Sequence, residues 1–575
     1  MNAKQEAREP VARYLATPPL LQHFDRVAQA PGGVARLREL ILTLAVQGKL
    51  VPQDPADEPA SVLLERIRAE KARLVKEGKI RKEKPLAAIS EGEKLFELPA
   101  SWEWIRLIHS VVLENGDRGH NYPSKGDFVG SGVRFINAGH LRNQRVEGSE
   151  MNFISKERFD ALRSGKIQRG DILYCLRGSL GKTALVDDDK SGAIASSLVI
   201  IRPTGGLNAN FALLFLASPL AIAQIRKFDN GTAQPNLGAS DLAKFLVPLP
   251  PLAEQSRIVA RAEELMALCD ALEEKGRLAA AQHERLAAAL FDALANSASA
   301  EEAADHWQRI AAHFDLLLDR PAAVDRLEQA ILQLAVRGRL VPQNPADEPA
   351  SALLQKIRAE KDRLIAAGQL KRDKPLPPIS DEEKPFELPE GWEWVRLGQI
   401  IELISGQHLL PNEYSENLDL EIPYLTGPAE FGPMNPQPTR STNERRAIAT
   451  KGDILITVKG SGVGKLNSVG FEELAISRQL MAIRPFITSN DFLFLALSVL
   501  GTSFQEKSVG IAIPGISRVD VTDAIVALPP LTEQSRIVAR VAELRALCAQ
   551  LRERLTATDQ TRSRLAEALL EQAVA

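Results

Sequence analysis

The chain has 575 residues, of which 45% are hydrophobic and 25% charged, so it has room for three or four folded domains. It contains no run of about 18 apolar residues that could span a bilayer, and its first ten residues do not resemble a signal peptide, so we expect a cytoplasmic protein. The formal net charge of −3 argues against a chain that is basic throughout.

The charge is nevertheless unevenly distributed. Residues 104–246 contain 18 Lys and Arg against 13 Asp and Glu, whereas residues 396–525 contain 11 against 14. One globular block is therefore basic, which permits a nucleic-acid partner without requiring one.

The N-terminal half is predicted to contain a helical region followed by a mixed domain. Residues 1–103 form the helical region, with short helices at 34–47 and 59–77. Residues 104–247 contain short β-rich runs (VRFINA, DILYCL, LVIIRP) and one apolar helical piece, FALLFLAS. Such runs, separated by Gly and Asn, indicate an α/β domain around a small twisted sheet.

The C-terminal half repeats this order behind a long helix. Residues 248–393 begin with a Pro-free segment from Leu252 to about Leu294 and continue with helices at 324–337 and 349–367. Residues 394–526 contain DILITV, LMAIRP and the helical FLFLALSV, which predict a second α/β domain. Residues 527–575 form a second long helix.

Both long helices carry an apolar residue every seven positions, as coiled-coil helices do. The positions are Ile258, Leu265, Leu272, Ala279 and Leu286 with Ala262, Cys269 and Leu290, and then Ile537, Leu544, Leu551 and Leu565 with Val541, Cys548, Leu555 and Leu569. Gly276, His283, Thr558 and Arg562 interrupt the pattern.

Most of the chain is duplicated. At an offset of 290, LAVQGKLVPQDPADEPAS (44–61) recurs as LAVRGRLVPQNPADEPAS (334–351), and FELPASWEWIRL recurs as FELPEGWEWVRL. At an offset of 279, PPLAEQSRIVAR (250–261) recurs as PPLTEQSRIVAR (529–540). Between them, GDILYCLRGSLGK (170–182) corresponds more loosely to GDILITVKGSGVGK (452–465). We expect an α+β multidomain protein in which two long antiparallel coiled-coil connectors separate two diverged α/β domains, with a pseudo-twofold circular repeat.

No catalytic or metal-binding motif emerges. GSLGKT (178–183) lacks the first glycine of a phosphate loop, and FVGSG (128–132) precedes a strand instead of following one, so both are predicted to be turns. The eight histidines and three cysteines show no metal-ligand spacing, and we expect the cysteines to be reduced and buried. Asp171 and Asp453 of the GDIL motifs are predicted to cap turns.

Polar side chains of the kind that contact bases and phosphates cluster in the loops of both α/β domains. In the first domain they are Arg118, His120, Asn121, Tyr122, Asn137, His140, Arg142, Arg177, Ser179 and Lys182; in the second they are Gln407, His408, Tyr414, Lys459, Ser461, Lys465 and Arg478. A solvated surface would explain any one of them. As a set on two diverged copies of one scaffold, they favour DNA reading.

The chain resembles the DNA-specificity subunits of type I restriction–modification enzymes. The resemblance covers nearly the whole sequence and is carried by VPLPPLAEQSRIV and VALPPLTEQSRIV, by FELPEGWEWVRL, by GDIL…GS…GK and by the circular repeat. GTAQPNLG (231–238) matches the family pattern, which adds Gln234 and Asn236 to the expected DNA contacts, whereas GIAIPGIS (510–517) departs from it.

This resemblance implies two target-recognition domains, each reading one half of a split, asymmetric double-stranded DNA sequence. It also implies helical connectors that set the spacer and dock two modification subunits, through Glu254, Gln255, Arg257, Glu533, Gln534 and Arg536 of the repeated phrase. The modification subunits would carry S-adenosylmethionine and methylate adenine N6, and two restriction subunits would use ATP and Mg²⁺. The chain itself would bind no cofactor, metal or membrane and would catalyse nothing. A self-sufficient DNA methyltransferase and a coiled-coil scaffold without DNA binding are the alternatives.

Overall fold

The computed structural model describes residues 20–82, 85–228, 235–372, 374–507 and 515–574. The chain divides into two compact units. Unit 1 comprises Met1–Leu278 and Asp559–Ala575, and unit 2 comprises Ala279–Thr558. Unit 1 is therefore assembled from two segments that are far apart in sequence.

Unit 1 combines connector helices with the first α/β domain, called domain 1 (104–247). Its helices are α1 (Leu20–Ala28), α2 (Gly33–Gln47), α3 (Ala60–Lys76), α4 (Lys156–Ala161), α5 (Ala209–Ala217), α6 (Pro219–Phe228), α7 (Ala239–Leu242) and the first part of α8 (Leu252–Ala295). Its strands are β1 (Glu103–Arg106), β2 (Val111–Asn115), β3 (Phe128–Val129), β4 (Val133–Ile136), β5 (Leu141–Arg142), β6 (Gln144–Val146), β7 (Asn152–Ile154), β8 (Ile172–Cys175), β9 (Thr183–Leu185), β10 (Gly192–Ile194), β11 (Leu198–Pro203) and β12 (Leu246–Leu249).

Unit 2 has the same plan around the second α/β domain, called domain 2 (394–526). Its helices are the end of α8, α9 (Ala300–Ala312), α10 (Phe314–Leu317), α11 (Pro321–Val336), α12 (Ala350–Ala366), α13 (Leu397–Ile400), α14 (Asn490–Lys507), α15 (Arg518–Thr522) and the first part of α16 (Leu531–Val574). Its strands are β13 (Glu393–Arg396), β14 (Ile401–Ser405), β15 (Tyr414–Ser415), β16 (Ile422–Leu425), β17 (Arg440–Thr442), β18 (Ile448–Thr450), β19 (Ile454–Thr457), β20 (Leu466–Ser468), β21 (Glu473–Ile476), β22 (Leu480–Pro485) and β23 (Ile525–Leu528).

The two domains share one antiparallel sheet topology. The order β2-β11-β8-β9 in domain 1 matches β14-β22-β19-β20 in domain 2. Domain 1 extends this sheet with the hairpin β6-β5, whereas β20 is the last strand of the domain 2 sheet. A second sheet is present in each domain, with the order β10-β4-β7-β3 in domain 1 and β15-β17-β16-β21-β18 in domain 2. The predicted mixed α/β domains are confirmed.

The central strands are apolar throughout because side chains on both faces are covered. In β8, Ile172 and Tyr174 pack with the connector helices, while Leu173 and Cys175 belong to a separate core on the opposite face. This explains why the residues that follow the aspartate of the GDIL motif are all apolar and do not alternate with polar residues.

An ion pair between a buried aspartate and a partly exposed arginine joins the strands of each main sheet. The Arg202 guanidinium donates to both carboxylate oxygens of Asp171 at 2.7 and 2.8 Å and also to Glu114 at 3.1 Å. Arg484 makes the equivalent bonds to Asp453 and Glu402. Each aspartate also accepts a turn amide, from Gln168 or Thr450, at 2.8 Å. The predicted turn capping is confirmed, and the strand-joining role is additional.

A pair of short strands closes the base of each domain. β1 is antiparallel to β12, with Trp104 opposite Pro248, and β13 is antiparallel to β23, with Trp394 opposite Ala527. The chain therefore enters and leaves each domain side by side, directly before the long helix begins.

The two long helices have 44 residues each. Ile258, Ala262, Leu265 and Cys269 are buried in unit 1, and Ile537, Val541 and Cys548 are buried in unit 2. The predicted seven-residue repeat does not describe burial near the ends of the helices. Leu286 and Leu565, which it predicts to be buried, are 51% and 55% exposed, whereas the neighbouring Ala287 and Ala566 are buried. A straight helix rotates by about 20° per heptad relative to a strict seven-residue repeat, so after four heptads the seam has moved to the adjacent position.

Among the described residues, no single helix is both long and apolar enough to span a bilayer. Only α5 and α6 taken together reach the length and apolar composition of a membrane span, and they are bent by 64° relative to each other.

Candidate nucleic-acid interface

Strand direction brings the predicted loops of domain 1 together at one end of its main sheet. β2 and β8 both run antiparallel to β11, so the loops that follow them, 116–122 and 176–182, lie at the same end. The segment that contains Asn236 joins this end, because Asn236 forms a β-bridge with Arg177 and the Gly178 amide donates to the Pro235 carbonyl at 3.0 Å. We call this surface the polar end of domain 1.

Five of the predicted DNA-contact side chains of domain 1 are exposed at or beside the polar end. They are Arg118, His120, Arg142, Arg177 and Ser179. Lys182 is half-buried, and its Nζ donates to the Ala138 carbonyl at 2.8 Å, which fixes the 137–146 segment next to the glycine turn. Gln234 lies outside the described residues.

His140 is a correction to the sequence prediction. The ring is only 5% exposed, its Nδ1 accepts a hydrogen bond from the Asn137 amide at 3.0 Å, and its Nε2 lies 3.2 Å from the Glu150 carbonyl oxygen. With both nitrogens occupied inside the domain, the side chain positions its loop and cannot read a base.

Three neighbouring polar residues also make internal contacts. Asn137 Oδ1 accepts from the Gly139 amide at 2.8 Å, and Asn121 Nδ2 donates to the Ala161 carbonyl at 2.9 Å. The Tyr122 ring packs edge-on against Phe135, with 5.7 Å between centroids. All three are half-buried, so each holds a loop while keeping some exposed surface, and their DNA contacts stay a prediction.

Domain 2 forms an equivalent polar end from corresponding loops. The Gln407 amide donates to the Ile476 carbonyl at 2.9 Å, the Val458 amide to Gln479 at 2.8 Å, and the Ile516 amide to Val458 at 2.9 Å. These bonds bring together the segments that carry the exposed side chains of Gln407, His408, Lys459, Ser461, Lys465 and Arg478. Tyr414 lies elsewhere, on β15 of the second sheet, where its ring packs against Tyr424 at 5.5 Å.

Several of these cations have no partner among the side chains and carbonyls that the structure describes. Within the described residues, no hydrogen bond or ion pair involves the side chains of Arg118, Arg177, Lys459, Lys465 or Arg478. Arginine and lysine side chains without protein partners at one surface are suited to phosphate oxygens and to base edges.

The phrase predicted to dock a partner is largely internal. In unit 1, Glu254 and Gln255 are buried. Glu254 accepts hydrogen bonds from Trp102 Nε1 at 2.9 Å and Gln53 Nε2 at 2.7 Å. Gln255 Oε1 accepts from the Asn208 amide at 2.9 Å, and its Nε2 donates to the Pro250 carbonyl at 3.0 Å. Arg257 forms an ion pair with Asp57.

Unit 2 repeats this cluster. Glu533 accepts from Trp392 Nε1 and Gln343 Nε2, Gln534 accepts from the Ser489 amide, and Arg536 pairs with Asp347. The assignment of Glu254, Gln255, Glu533 and Gln534 to partner docking is therefore wrong, because these side chains are buried and hydrogen-bonded within their own unit. They fasten the long helix to the connector and to the adjacent α/β domain, and we call each cluster a helix clamp.

The helix clamps shift the acidity of their carboxyl groups. Burial raises the pKa of Glu254 and of Glu533 above the usual range, and the hydrogen bonds from tryptophan and glutamine only partly oppose this. Sequence reasoning missed the clamp partners. The same residue types as Gln53, Trp102 and Asp57 recur at the equivalent positions of the second copy, and this recurrence could have revealed the clamp partners.

The glycine turn and the three cysteines have the structural roles predicted for them, and no metal-ligand cluster occurs among the described residues. There, no group of three or more His, Cys, Asp or Glu side chains could hold a metal ion. GSLGK forms the turn between β8 and β9, with Gly178 and Gly181 at φ 80° and 79°. Cys175, Cys269 and Cys548 are free and buried, as predicted, and burial raises the pKa of each thiol.

Comparison with known proteins identifies the family. The domain described as "Type I restriction modification DNA specificity domain" matches residues 114–283 and 389–558. The EcoEI and EcoAI specificity subunits of type I restriction enzymes from Escherichia coli are 37% and 36% identical over 568 and 572 residues, which is 94% of this chain and 94% of each relative. A solved chain reported under "complex assembly and conformational transition of the type I R-M system" shares the fold, with a TM-score of 0.52 at 22% identity over 83% of this chain and 99% of that one. The chain thus belongs to the DNA specificity subunits of type I restriction–modification systems, which are not themselves the catalytic subunits.

Proposed function

We propose that domains 1 and 2 each read one half of a bipartite, asymmetric sequence in double-stranded DNA through their polar ends. The observation that supports this most directly is the contrast between scaffold and loops. Both domains have the same four-stranded topology and keep a serine at Ser179 and Ser461, yet Arg177 on one corresponds to Lys459 on the other, and the surrounding loops differ in length and sequence. Two different loop sets on one scaffold suit two different half-sequences.

The chemistry of the exposed side chains suits this task. Arginine can form paired hydrogen bonds with guanine O6 and N7, asparagine and glutamine with adenine, and lysine can contact phosphates as a point charge. Phosphate contacts would supply most of the affinity and its salt dependence, while base contacts would supply the specificity.

The connectors are proposed to bind two copies of one modification subunit. That subunit would hold S-adenosylmethionine and methylate adenine N6, and two restriction subunits would add ATP- and Mg²⁺-dependent cleavage. Since Glu254 and Gln255 are buried, docking requires other residues of the long helices. Leu268 and Leu547 occupy equivalent positions and are 43% and 54% exposed, and the equivalent Leu286 and Leu565 are also exposed. Exposed apolar residues that recur on both helices fit a partner present twice.

Domain exchange tests the proposed function. Residues 104–247 are replaced by the corresponding block of a family member with a different target, and the complex with the modification subunit is assayed by mapping methylated adenines in genomic DNA. We expect one half of the recognised sequence to change while the other half and the spacer stay the same.

The matched control replaces residues 394–526 and should change the opposite half alone. Simultaneous alteration of both halves by either exchange would show that the domains do not read DNA independently. Methylation by the chain without any modification subunit would contradict its assignment as a specificity subunit.

A further inference from the structure

The hairpin of β5 and β6 presents four consecutive polar side chains at the polar end of domain 1. Arg142, Asn143, Gln144 and Arg145 are all exposed. Leu141 pairs with Val146 and Arg142 with Arg145, so Asn143 and Gln144 form a two-residue turn. β6 runs parallel to β9, with Gln144 opposite Ala184, which places the turn beside the glycine loop that contains Arg177.

The turn is strained at one residue. Asn143 and Gln144 have φ values of 49° and 58°, which is the left-handed region. Two-residue hairpin turns of this kind favour asparagine followed by glycine, because a side chain at the second position is disfavoured there. Asn143 fits this preference, whereas Gln144 occupies the position of the glycine.

The hairpin also places two positive charges opposite each other. Arg142 and Arg145 are cross-strand partners, an arrangement that destabilises a hairpin. Arg142 approaches Glu147 at 3.9 Å, whereas within the described residues the side chains of Gln144 and Arg145 make no hydrogen bond or ion pair. Two unfavourable features therefore coincide at this tip, while Asn143 Nδ2 donates to Glu147 at 3.5 Å and the side chains of Gln144 and Arg145 are left for a partner.

The side chains at the tip of this hairpin differ between the two domains. In domain 2 the segment between β16 and β17 makes corresponding pairs, with a β-bridge between Phe431 and Pro436 and a hydrogen bond from the Gln437 amide to the Glu430 carbonyl at 2.7 Å. Its tip carries Pro433 and Met434 instead of Asn143 and Gln144, and the main sheet of domain 2 ends at β20. The base of the hairpin in domain 1 is held in the same way, since His140 is buried there and its carbonyl accepts from the Glu147 amide at 2.9 Å.

We propose that the tip of this hairpin enters the major groove and reads bases of the half-site assigned to domain 1, with Gln144 and Arg145 as specificity-determining residues. The inference rests on the proposed function. The major groove is about 12 Å wide and admits a two-stranded ribbon, and it exposes the guanine and adenine edges that arginine and glutamine bind through paired hydrogen bonds. Strain and charge repulsion at an exposed tip are retained where the side chains serve recognition.

The test uses the full-length chain in complex with its modification subunit and a duplex library with randomised positions. Gln144→Gly removes the side chain and relieves the left-handed strain, so the variant should be at least as stable as the wild type. Arg145→Gln removes one positive charge. Arg169→Gln is the matched control, because Arg169 is exposed in the turn before β8, at the opposite end of the same sheet.

We expect Gln144→Gly and Arg145→Gln each to relax base preference within the domain 1 half-site and to weaken binding to the preferred sequence about tenfold or more. The half-site of domain 2 should be unchanged in both variants, and Arg169→Gln should alter neither half-site. An unchanged domain 1 half-site in both variants would overturn the inference. So would equal weakening on all sequences with a shallower salt dependence, since that result indicates phosphate contacts.

The controls separate this inference from the proposed function. Absence of any sequence preference in the wild-type complex would contradict the proposed function itself. A specific wild-type complex whose specificity survives both hairpin substitutions would contradict only the role of the hairpin.

Discussion

Glu254 and Glu533 bring a negative charge into the interior of each unit at the point where a long helix begins. Each carboxylate binds a tryptophan ring nitrogen and a glutamine amide, and the nearest opposite charge is an arginine that already pairs with Asp57 or Asp347. Two neutral donors compensate the loss of hydration incompletely, so the ionised form is less favourable in the folded state than in the unfolded state.

This imbalance predicts a pH dependence of stability. The pKa of Glu254 and Glu533 is raised on folding. Their protonated forms therefore favour the folded state below the unfolded pKa of about 4.3, and this contribution is lost as pH rises through the folded pKa. In the double variant Glu254→Gln, Glu533→Gln this loss cannot occur, so its stability relative to the wild type should increase between pH 4.5 and 7.

Urea unfolding of both proteins at a series of pH values measures the difference. The altered hydrogen bonds change the free energy of unfolding by a nearly constant amount at every pH. They therefore do not affect how the difference between the two proteins changes with pH. A stability difference that is flat across this range would show that both glutamates keep ordinary acidities. Glu274 is exposed on the same helix as Glu254 and serves as the control. The stability of Glu274→Gln relative to the wild type should not increase with pH over this range.

At the scale of elements, the ion pair Asp171–Arg202 fixes the register of three strands, since Glu114, Asp171 and Arg202 belong to or flank β2, β8 and β11. Asp171 is fully buried, and Arg202 is about one-quarter exposed. Removing one partner of such a pair leaves a charge without compensation, which typically costs about 3–5 kcal/mol when the pair is fully buried.

We therefore expect Asp171→Asn to destabilise unit 1 by about 3 kcal/mol, the lower end of that range because Arg202 keeps Glu114 and some water. Asp453→Asn should have the same effect on unit 2. Arg445→Gln serves as the control, since its ion pairs with Glu421 and Glu473 are exposed and worth about 0–1 kcal/mol. Hydrogen exchange, measured separately for peptides of unit 1 and unit 2, shows which unit loses protection. Loss of protection in unit 2 for Asp171→Asn, or in unit 1 for Asp453→Asn, would contradict the prediction.

The elements also show what the sequence could and could not predict. The helices at 34–47, 59–77 and 349–367 were placed to within a residue or so, because long amphipathic periods are local signals. The hairpin β5-β6 was not predicted, since strands of two or three residues are defined by their partners and not by their own pattern. The displaced helical seam at Leu286 has a similar cause, because small rotations add up along a helix.

The residues of the candidate site were also predicted only in part. Arg177, Lys459 and Arg478 were identified correctly as exposed loop cations, because glycine-rich turns between buried strands must reach the surface. His140, Glu254 and Gln534 have equally polar side chains but are buried. Residue type cannot distinguish these two outcomes, since burial depends on contacts made by distant segments such as Trp102.

At the scale of the whole molecule, each long helix begins in one unit and ends in the other. If the helices set the spacer of the DNA site, lengthening both should lengthen it. Four residues inserted after Leu278 and after Thr558, where the helices pass between units, add about 6 Å of rise and about 40° of rotation. One base-pair step rotates by about 35° and advances by about 3.4 Å. We expect a spacer longer by one base pair, because orientation toward the correct groove outweighs an axial misfit that DNA deformation can absorb.

Mapping of methylated adenines in cells that carry the double insertion measures the spacer directly. Both half-sites should be unchanged. An insertion of four residues in the surface turn 187–189 of domain 1 controls for general perturbation and should leave the spacer as it was. Full activity with the original spacer in the lengthened protein would show that the helices do not determine it.

The composition of unit 1 has a consequence for protein synthesis. Its core includes Ala566, Leu569, Leu570 and Ala573 of α16, which follow all of unit 2 in the chain. On the ribosome, unit 2 is made and can fold while unit 1, although translated first, still lacks the helix that completes it. We therefore expect unit 1 to complete its core after unit 2, and a nascent chain that stalls before residue 559 to carry one finished unit and one whose apolar core is open to chaperones and proteases.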